Sequence, residues 1–369
     1  MNNTEIKVSV IMPIYNAYDY LRPAIDSVLD QTLRDIEIIC VDDGSTDSSF
    51  DLIKEYQKKD ERIRIVTETN AGPALARNNG IKRARGEYLS FLDADDFFEP
   101  TLLETLYNQA KEKDLDIAIA EYDVFNSRQA TFEPAVRPEH AEIYDGGVVT
   151  SKRLCPDKIF SSTNGAAWNK LFRRSFVIEK QLLFLHDAKV YEDVYFVMSA
   201  LALAERVSKV SDVLVHHRIY SDQSRAKMFR KHYSQVLNVF VELKEFLRLN
   251  GMYYPLSTSF LNLTASHAYR IYNILGFEAK ETFWDMLHNG MVHELGWNDR
   301  EADDFEEQDV CEFVANLVLY THVQYKKRLA KGRRMSFDKL VSLFASGKMR
   351  KKFKAFFKKK KKTKNKPHT

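Results

Sequence analysis

Carboxylate side chains cluster in the segment FLDADD at 91–96, directly after an apolar run. Close carboxylates repel one another, so such a cluster is costly unless a cation or solvent compensates the charge. A hard divalent cation such as Mg²⁺ or Mn²⁺ takes oxygen ligands from one or two carboxylates and from substrate phosphates. The segment is therefore a candidate metal site that also holds a diphosphate. The alternative is a turn in which Asp95 or Asp96 only caps the following backbone.

Two further polar segments follow apolar runs. In VDDGST at 41–46, Gly44 permits a tight turn, and an aspartate could accept a hydrogen bond from a base N–H or a ribose hydroxyl. An ordinary Asx turn is the alternative. In NAGPALARNNG at 70–80, Arg77 could bind a phosphate or hold a carboxylate. The alternative there is a solvated helix surface.

An acidic pair stands among aromatic residues in YEDVYF at 191–196. Burial at the edge of an apolar pocket raises the pKa of a carboxyl group and suits it to general-base catalysis. Glu192 and Asp193 are therefore candidates for such a base. The alternative is an acidic pair at a helix N-terminus, which the helix macrodipole stabilises.

The segments between these residues predict how the fold positions them. Apolar runs typical of buried strands alternate with stretches of helical periodicity. The predicted strands are 8–14, 36–41, 62–66, 88–92 and 115–120, and the predicted helices are 19–31, 47–59, 73–85 and one that begins at Pro100. This alternation indicates an α/β fold with a mainly parallel twisted sheet flanked by helices. Ligands bind beyond the carboxyl ends of strands in such sheets, so the polar segments should converge at one edge.

The remainder of the chain carries fewer signals. Residues 121–165 are less regular and are expected to be rich in loops, whereas 236–249 and 257–275 have helical periodicity. A hydrophobic content of 44% supports a sizeable core. The three cysteines are far apart, which argues against a disulfide framework or a zinc site and favours a reducing cytosol. We expect no secretory leader and no membrane-spanning helix.

Charge is distributed unevenly along the chain. Residues 348–369 contain 12 Lys and Arg and no acidic residue, and removing those 12 charges from the net +3 leaves −9 over residues 1–347. Aromatic side chains lie among the lysines, and a basic segment of that kind can bind an anionic membrane surface. A disordered solubilising tail is the second interpretation and nucleic-acid binding a distant third.

Taken in order, the segments resemble glycosyltransferase family 2, an inverting family with the GT-A fold. The resemblance covers about residues 6–225 and ends before 230. Each segment alone is weak evidence, but the ordered series is specific. The matching segments are VSVIMPIYN at 8–16, SVLDQTLRDIEIICVDDGSTD at 27–47, NAGPALARNNGI at 70–81, GEYLSFLDADD at 86–96, WNKLFRRSF at 168–176 and YEDVYF at 191–196.

The resemblance implies a role for each matching residue. Nucleotide binding would fall to Pro13, Tyr15, Asp42, Asp43 and Arg77, with Tyr15 stacking on the base. Asp93 and Asp95 match the family's Asp-x-Asp metal motif, Asp95 being the better candidate for direct contact with Mn²⁺ or Mg²⁺. Asp193 matches the catalytic base and Glu192 its neighbour. In HHRIYSDQS at 216–224, Arg218 could contact the diphosphate. His216 could be a metal ligand or a packing residue, and Trp168 and Asn169 could shape the acceptor side or be structural.

The implied activity is transfer of a hexosyl or N-acetylhexosaminyl unit from a nucleotide-sugar, UDP-linked by expectation, to a hydroxyl of a glycan or lipid-linked acceptor. We expect a catalytic domain at 1–225, divided near 120 into nucleotide-sugar and acceptor halves, a helical region at 226–347 and a tail at 348–369. Surface polysaccharide or lipooligosaccharide synthesis at the inner face of the cell membrane would suit it. PIYNAYDY replaces the glycine-rich loop of a sugar nucleotidyltransferase, and no G-x-G-x-x-G of a dehydrogenase occurs. A non-catalytic nucleotide-sugar-binding scaffold is the remaining alternative.

Overall fold

The computed structural model describes residues 5–219, 222–331 and 342, without the side chains of residues 222–230. The chain divides into two compact units, Met1–Arg225 and Ala226–Thr369. Within the described residues, nine strands of the first unit form one sheet. They are β1 (Val8–Ile14), β2 (Ile36–Asp42), β3 (Ile63–Thr67), β4 (Tyr88–Phe91), β5 (Phe97–Phe98), β6 (Ile117–Asn126), β7 (Thr131–Pro134), β8 (Lys170–Arg173) and β9 (Val207–Ile219).

Helices cover this sheet, as the alternating pattern of the sequence predicts. They are α1 (Tyr18–Leu29), α2 (Ser49–Gln57), α3 (Pro73–Arg83), α4 (Leu102–Glu112), α5 (Arg174–Glu179) and α6 (Glu192–Leu203), with 3₁₀ turns at Ala141–Gly147. Every residue of β2 is buried, as expected for a strand covered on both faces. The α/β fold with helices flanking a sheet is therefore confirmed.

The sheet has the order β3-β2-β1-β4-β8-β6-β9-β5, with β7 paired to β6. The first four strands are parallel. Strand β8 runs antiparallel between β4 and β6, so the sheet is mixed beyond β4. The carboxyl ends of β1, β2 and β4 consequently lie at one edge, and the polar segments that follow these strands meet there.

Helix α3 lies unusually close to the sheet. A Cβ atom added at Gly80 would be 2.3 Å from Cγ2 of Ile11 on β1, so a larger residue at 80 would push the helix away. The helix begins at Pro73, which suits the first helical turn. This packing holds Arg77 at the edge where β1 and β4 end.

The expectation of loops over 121–165 is wrong for its first part. Strand β6 continues to Asn126 and forms an antiparallel hairpin with β7. Charged residues interrupt the apolar pattern of this strand, and each has a partner on β9: Glu121 forms a salt bridge with Lys209 at 2.7 Å, and Asp123 is hydrogen-bonded to His216 at 2.6 Å. Pairing of this kind allows carboxylates to lie in a half-buried sheet.

The second unit is helical, as the periodicity from residue 226 predicts. Its described elements are most of α7 (Asp222–Leu249), α8 (Ser257–Ile274), α9 (Phe277–Met286), α10 (Val292–Glu294), α11 (Gln308–Leu319) and α12 (His322–Ala330). Large aromatic side chains form its core, and Trp284 and Trp297 are fully buried. None of the helices in the described part of the chain is both long and apolar enough to cross a bilayer.

Candidate active site

A cavity of about 570 Å³ opens at the carboxyl ends of β1, β2 and β4. It brings together five segments of the chain: 13–20, the residue Asp43, 70–77, 93–95 and the residue Glu192. The polar and aromatic side chains on its wall include Tyr15, Asn16, Tyr20, Asp43, Arg77, Asp93, Asp95 and Glu192, and Pro13 lies beside them. The convergence expected from the order of the strands is therefore present.

The aspartates after β2 hold the loops around the cavity. The two carboxylate oxygens of Asp43 accept hydrogen bonds from the backbone N–H groups of Ala71 and Gly72, both at 2.8 Å. Oδ2 of Asp42 accepts a 3.4 Å bond from the N–H of Ser45. Its Oδ1 is buried and has no hydrogen-bond partner among the described residues. Asp43 lines the cavity, whereas Asp42 does not.

Tyr15 is half exposed on the cavity wall, where its ring is open to a planar ligand. The next residue, Asn16, has a left-handed backbone (φ 48°). Its Oδ1 accepts a 2.8 Å bond from the N–H of Thr46, and its N–H donates to Oγ of Ser45. These bonds join the loop after β1 to the loop after β2 and so hold Tyr15 in place.

Arg77 is buried, so the interpretation of this residue as part of a solvated helix surface is wrong. Its guanidinium donates to Oδ1 of Asp93 at 2.6 Å and to Oε1 of Glu192 at 3.1 Å. It also lies 5.2 Å from the ring centroid of Phe184. One cation therefore connects the acidic segment after β4 with the first residue of α6.

The acidic segment at 93–96 contains carboxylates in two different environments. Asp96 is fully buried, and it accepts hydrogen bonds from the N–H of Arg218 at 2.7 Å and from Nδ1 of His217 at 3.0 Å. It binds β9 and does not cap the following turn. Asp95 lines the cavity. Burial and the neighbouring carboxylates of Asp96 and Asp93 raise the pKa of Asp95 to about 7.

These residues fit a divalent cation. The raised pKa of Asp95 shows that a negative charge at this position is poorly compensated by the protein. A cation would remove that cost, and carboxylate oxygen is the ligand that Mg²⁺ and Mn²⁺ prefer. Asp93 already has a salt bridge to Arg77. Asp95 is therefore the candidate for first ligand, and Asp93 the candidate for second.

Asp193 lies in the first turn of α6, directly after Tyr191 and Glu192. Tyr191 has a left-handed backbone (φ 65°), an uncommon conformation for a bulky residue. Burial and the carboxylate of Glu192 raise the pKa of Asp193 to about 7, while Arg77 opposes the shift. A carboxyl group with this pKa can take up a proton near neutral pH. Glu192 is on the cavity wall and Asp193 lies beside it.

Trp168 and Asn169 are buried and lie outside the cavity wall. The Trp168 ring stacks on His217, with centroids 5.2 Å apart and planes at 6°. Asn169 donates to the backbone oxygen of Ala120 at 2.7 Å. Both residues therefore support the walls of the site from behind, and an acceptor role for either stays a prediction.

The two expected residues on β9 both lie against the ring of Phe97 but have different polar partners. Nε of Arg218 donates to the backbone oxygen of Asp95 at 2.7 Å, which places its guanidinium beside the acidic segment. His216 is bonded through both ring nitrogens, to Asp123 at 2.6 Å and to Glu99 at 2.8 Å. Both ring nitrogens of His216 therefore have carboxylate partners, which favours the packing interpretation, and a metal-ligand role for His216 stays a prediction.

Sequence reasoning missed three residues of this region. His217 binds Asp96, Tyr20 lines the cavity, and Lys170 is buried behind α6. His216 and His217 are consecutive on β9. Because side chains alternate along a strand, the two histidines must face opposite sides of the sheet, and this alternation was a signal that His217 has a different partner from His216.

Comparisons with known proteins agree with this architecture. The family described as "Glycosyl transferase family 2" matches residues 9–178. Putative glycosyltransferase EpsH of Bacillus subtilis is 32% identical over 247 residues, which are 66% of this chain and 70% of EpsH. The chain therefore belongs to glycosyltransferase family 2.

Two other similarities are more limited. Glycosyltransferase GlyA of Streptococcus pneumoniae is 34% identical over 215 residues, and the match covers 58% of this chain but only 30% of GlyA. The crystal structure of S. aureus TarS 1–349 in complex with UDP has a TM-score of 0.52 at 22% identity, covering 78% of this chain and 89% of that one. The TarS likeness is one of fold and confirms a GT-A-like architecture.

Proposed function

We propose that the protein is a metal-dependent inverting glycosyltransferase that moves a sugar from a UDP-linked donor to a hydroxyl of a glycan or glycolipid. The observation that carries this proposal is the double salt bridge of Arg77. It joins Asp93 on the metal side to Glu192, the neighbour of the candidate base, across one cavity. A donor and a proton acceptor can therefore be held next to each other.

The nucleotide would lie at the end of the cavity formed by the loops after β1 and β2. Tyr15 offers an exposed ring on which a base can stack. Asp43 is fixed by two backbone bonds, so its oxygens are held in place and could accept a further bond from a ribose or base donor. Pro13 lines the same wall, and Asp42 accepts a bond from the N–H of Ser45 in the loop after β2. UDP is the proposed nucleotide, because UDP is bound in the structurally similar TarS.

Asp95 and Asp93 would hold the divalent cation, Mn²⁺ or Mg²⁺. Bound there, the ion would offset charge on the departing diphosphate. Arg218 would reinforce this by contacting the same diphosphate, since its bond to the Asp95 backbone holds its guanidinium near the acidic segment. Arg77 would hold the carboxylate of Asp93 in place.

Asp193 would act as the general base. It would accept the proton of the acceptor hydroxyl as that oxygen forms a bond to the anomeric carbon. The bond between the anomeric carbon and the diphosphate oxygen breaks on the opposite face, so configuration inverts. No covalent enzyme intermediate forms. Glu192 holds Arg77 and thereby the distance between base and donor.

Acceptor and location follow from the chemistry and the charge distribution. We place the reaction in surface polysaccharide or lipooligosaccharide synthesis, in the cytoplasm at the inner face of the cell membrane. A Lys-rich tail would suit a lipid-linked acceptor on an anionic bilayer. The tail, residues 348–369, lies outside the described residues.

A donor screen tests the proposal. Purified protein is incubated with Mn²⁺ and a panel of UDP-, GDP-, CMP- and dTDP-sugars, and nucleotide release is followed for the wild type, Asp95→Ala and Asp193→Ala. We expect release from a UDP-sugar that both substitutions abolish. Release that neither substitution affects would place the active site elsewhere. Donor-dependent thermal stabilisation without release in any acceptor extract would instead identify a binding scaffold.

A further inference from the structure

Lys170, the first residue of β8, is a lysine with only 1% of its surface exposed. Its Nζ lies within hydrogen-bond distance of four oxygens. They are the backbone oxygen of Asn164 at 3.0 Å, Oδ1 of Asn164 at 2.7 Å, the backbone oxygen of Ala166 at 2.7 Å and Oδ1 of Asn169 at 2.8 Å. A buried amine surrounded by acceptors is costly to place and needs an explanation.

All four partners of the Lys170 amine are hydrogen-bond acceptors. This arrangement suits the ammonium form, which has three donors and no acceptor, better than a neutral amine, whose lone pair would face an oxygen. Burial lowers the pKa of Lys170, and the negative charge of Asp193 opposes that shift. The bonds to Asn164, Ala166 and Asn169 show that the Lys170 amine holds the segment 164–169 in its folded conformation.

That segment contacts both sides of the candidate active site. A Cβ atom added at Gly165 would lie 2.7 Å from Cγ2 of Val194, so the segment packs tightly against the residue that follows Asp193. At its other end, the Trp168 ring stacks on His217. His217 in turn binds Asp96 of the acidic segment. The segment thus lies between the start of α6 and the carboxylates after β4.

We propose that Lys170 is a positioning residue for sugar transfer, because by fixing the segment 164–169 it sets the distance between Asp193 and the acidic segment at 93–96. This inference rests on the proposed function. The donor-side residues Tyr15 and Asp43 lie on loops that Lys170 does not contact. Loss of Lys170 should therefore slow the transfer step and leave donor binding nearly unchanged.

The chain offers a matched control in Lys152, a second buried lysine of the same unit. Its Nζ donates to the backbone oxygens of Leu203 at 2.9 Å and Ala204 at 3.1 Å, at the opposite end of α6, and to Glu205 at 2.7 Å. Removing either ammonium leaves backbone oxygens of the same unit without a donor. Only Lys170 holds the segment beside Asp193.

The experiment compares Lys170→Met with Lys152→Met in the full-length protein. Sugar transfer is measured under steady-state conditions well below the Tm of each variant, and UDP-sugar binding with Mn²⁺ is measured by calorimetry. For K170M we expect kcat to fall about 50-fold or more, since misplacement by about 1 Å can cost 10²-fold, with the donor Kd within about twofold of wild type. For K152M we expect a lower Tm and a kcat within about twofold.

Equal losses of kcat in the two variants, or a K170M donor Kd that rises as much as kcat falls, would overturn the inference. If K170M does not fold, Asn164→Ala and Gly165→Ala probe the same segment, and each should lower kcat about five- to tenfold without weakening donor binding. Unchanged kcat in both would also overturn it. Wild-type protein that binds UDP-sugar but transfers nothing would instead contradict the proposed function itself.

Discussion

Two aspartate clusters follow parallel strands of the same sheet, and their surroundings differ. After β2, the carboxylate of Asp43 accepts two backbone N–H bonds from the loop that precedes α3. After β4, Asp95 faces the cavity beside two other carboxylates, and burial together with those charges raises the pKa of Asp95 to about 7. Both clusters stand at the end of a strand, but their hydrogen bonds and neighbouring charges differ.

We infer from this difference that the carboxylate after β2 shapes the site, whereas the carboxylate after β4 takes part in its chemistry. A carboxylate whose oxygens are occupied by backbone N–H groups stabilises a loop and offers fixed acceptors to a ligand. A carboxylate buried among like charges is destabilising until a cation or a proton arrives. Asp95 and Asp193 belong to the second kind, and Asp43 belongs to the first.

The largest effect is expected for Asp193→Asn. The amide keeps the shape of the side chain but cannot accept the proton of the acceptor hydroxyl, so kcat should fall by about 10²–10⁴-fold. Donor binding should stay within about twofold, because Asp193 lies beside the cavity wall. Steady-state kinetics and calorimetry with the UDP-sugar identified in the screen measure both. A variant with more than a tenth of wild-type kcat would remove Asp193 from the role of base.

Metal dependence distinguishes the two clusters directly. With Mn²⁺ present, Asp95→Asn should weaken donor binding by about 10–100-fold, comparable to the cost of losing a charged ligand. Adding EDTA to the wild type should produce a similar loss. Asp43→Asn should keep the full difference between Mn²⁺ and EDTA. If both variants lost the metal effect equally, the two clusters would not be functionally distinct.

Much of the nucleotide half could be predicted from the sequence. Strands β1 and β2 are largely apolar runs, interrupted by Ser9 in β1 and Glu37 in β2, as is typical of strands buried on both faces, and helix signals stand between them. The β6–β7 hairpin could not be predicted in the same way. Glu121 and Asp123 of β6 are bonded to Lys209 and His216 of β9, and neither partner reveals the other in a linear sequence.

The site shows the same limit. The residue types and their order indicated which segments meet, because strand ends converge in a parallel sheet. The burial of Arg77 could not be inferred, since its partner Glu192 is 115 positions away. Lys170 gave no local signal either, because the oxygens that hold it belong to a segment whose fold it determines.

A smaller effect concerns stability and its pH dependence. Burial and the neighbouring carboxylates raise the pKa of Asp95 in the folded protein from its ordinary value of 3.8 to about 7. The folded state therefore binds the proton more tightly, and the stability that this gives is lost as pH rises from about 4 through 7. Asp95→Asn has no such loss. We expect the variant to be about 2 kcal/mol more stable than wild type at pH 8, roughly half the full shift because the side chain is partly exposed.

Urea unfolding of the metal-free proteins at pH 5 and pH 8 measures this difference. The advantage of Asp95→Asn should be clearly smaller at pH 5, where the folded carboxyl group of the wild type is already protonated. An equal advantage at both pH values would show that side-chain packing, and not ionisation, is responsible. Saturating Mn²⁺ should reduce or reverse the advantage at pH 8, because only the wild type can use the carboxylate as a ligand.

The smallest effect is expected for Asp43→Asn. An amide can accept a bond from only one of the two backbone N–H groups of Ala71 and Gly72, so the loop should loosen. Donor Kd should rise about fivefold, on the order of 1 kcal/mol, with kcat nearly unchanged. Asp47→Asn is the matched control, since Asp47 also accepts backbone N–H bonds but lies off the cavity wall. An equal rise in Kd for both would mean that general loop stability, and not the orientation of Asp43, sets donor affinity.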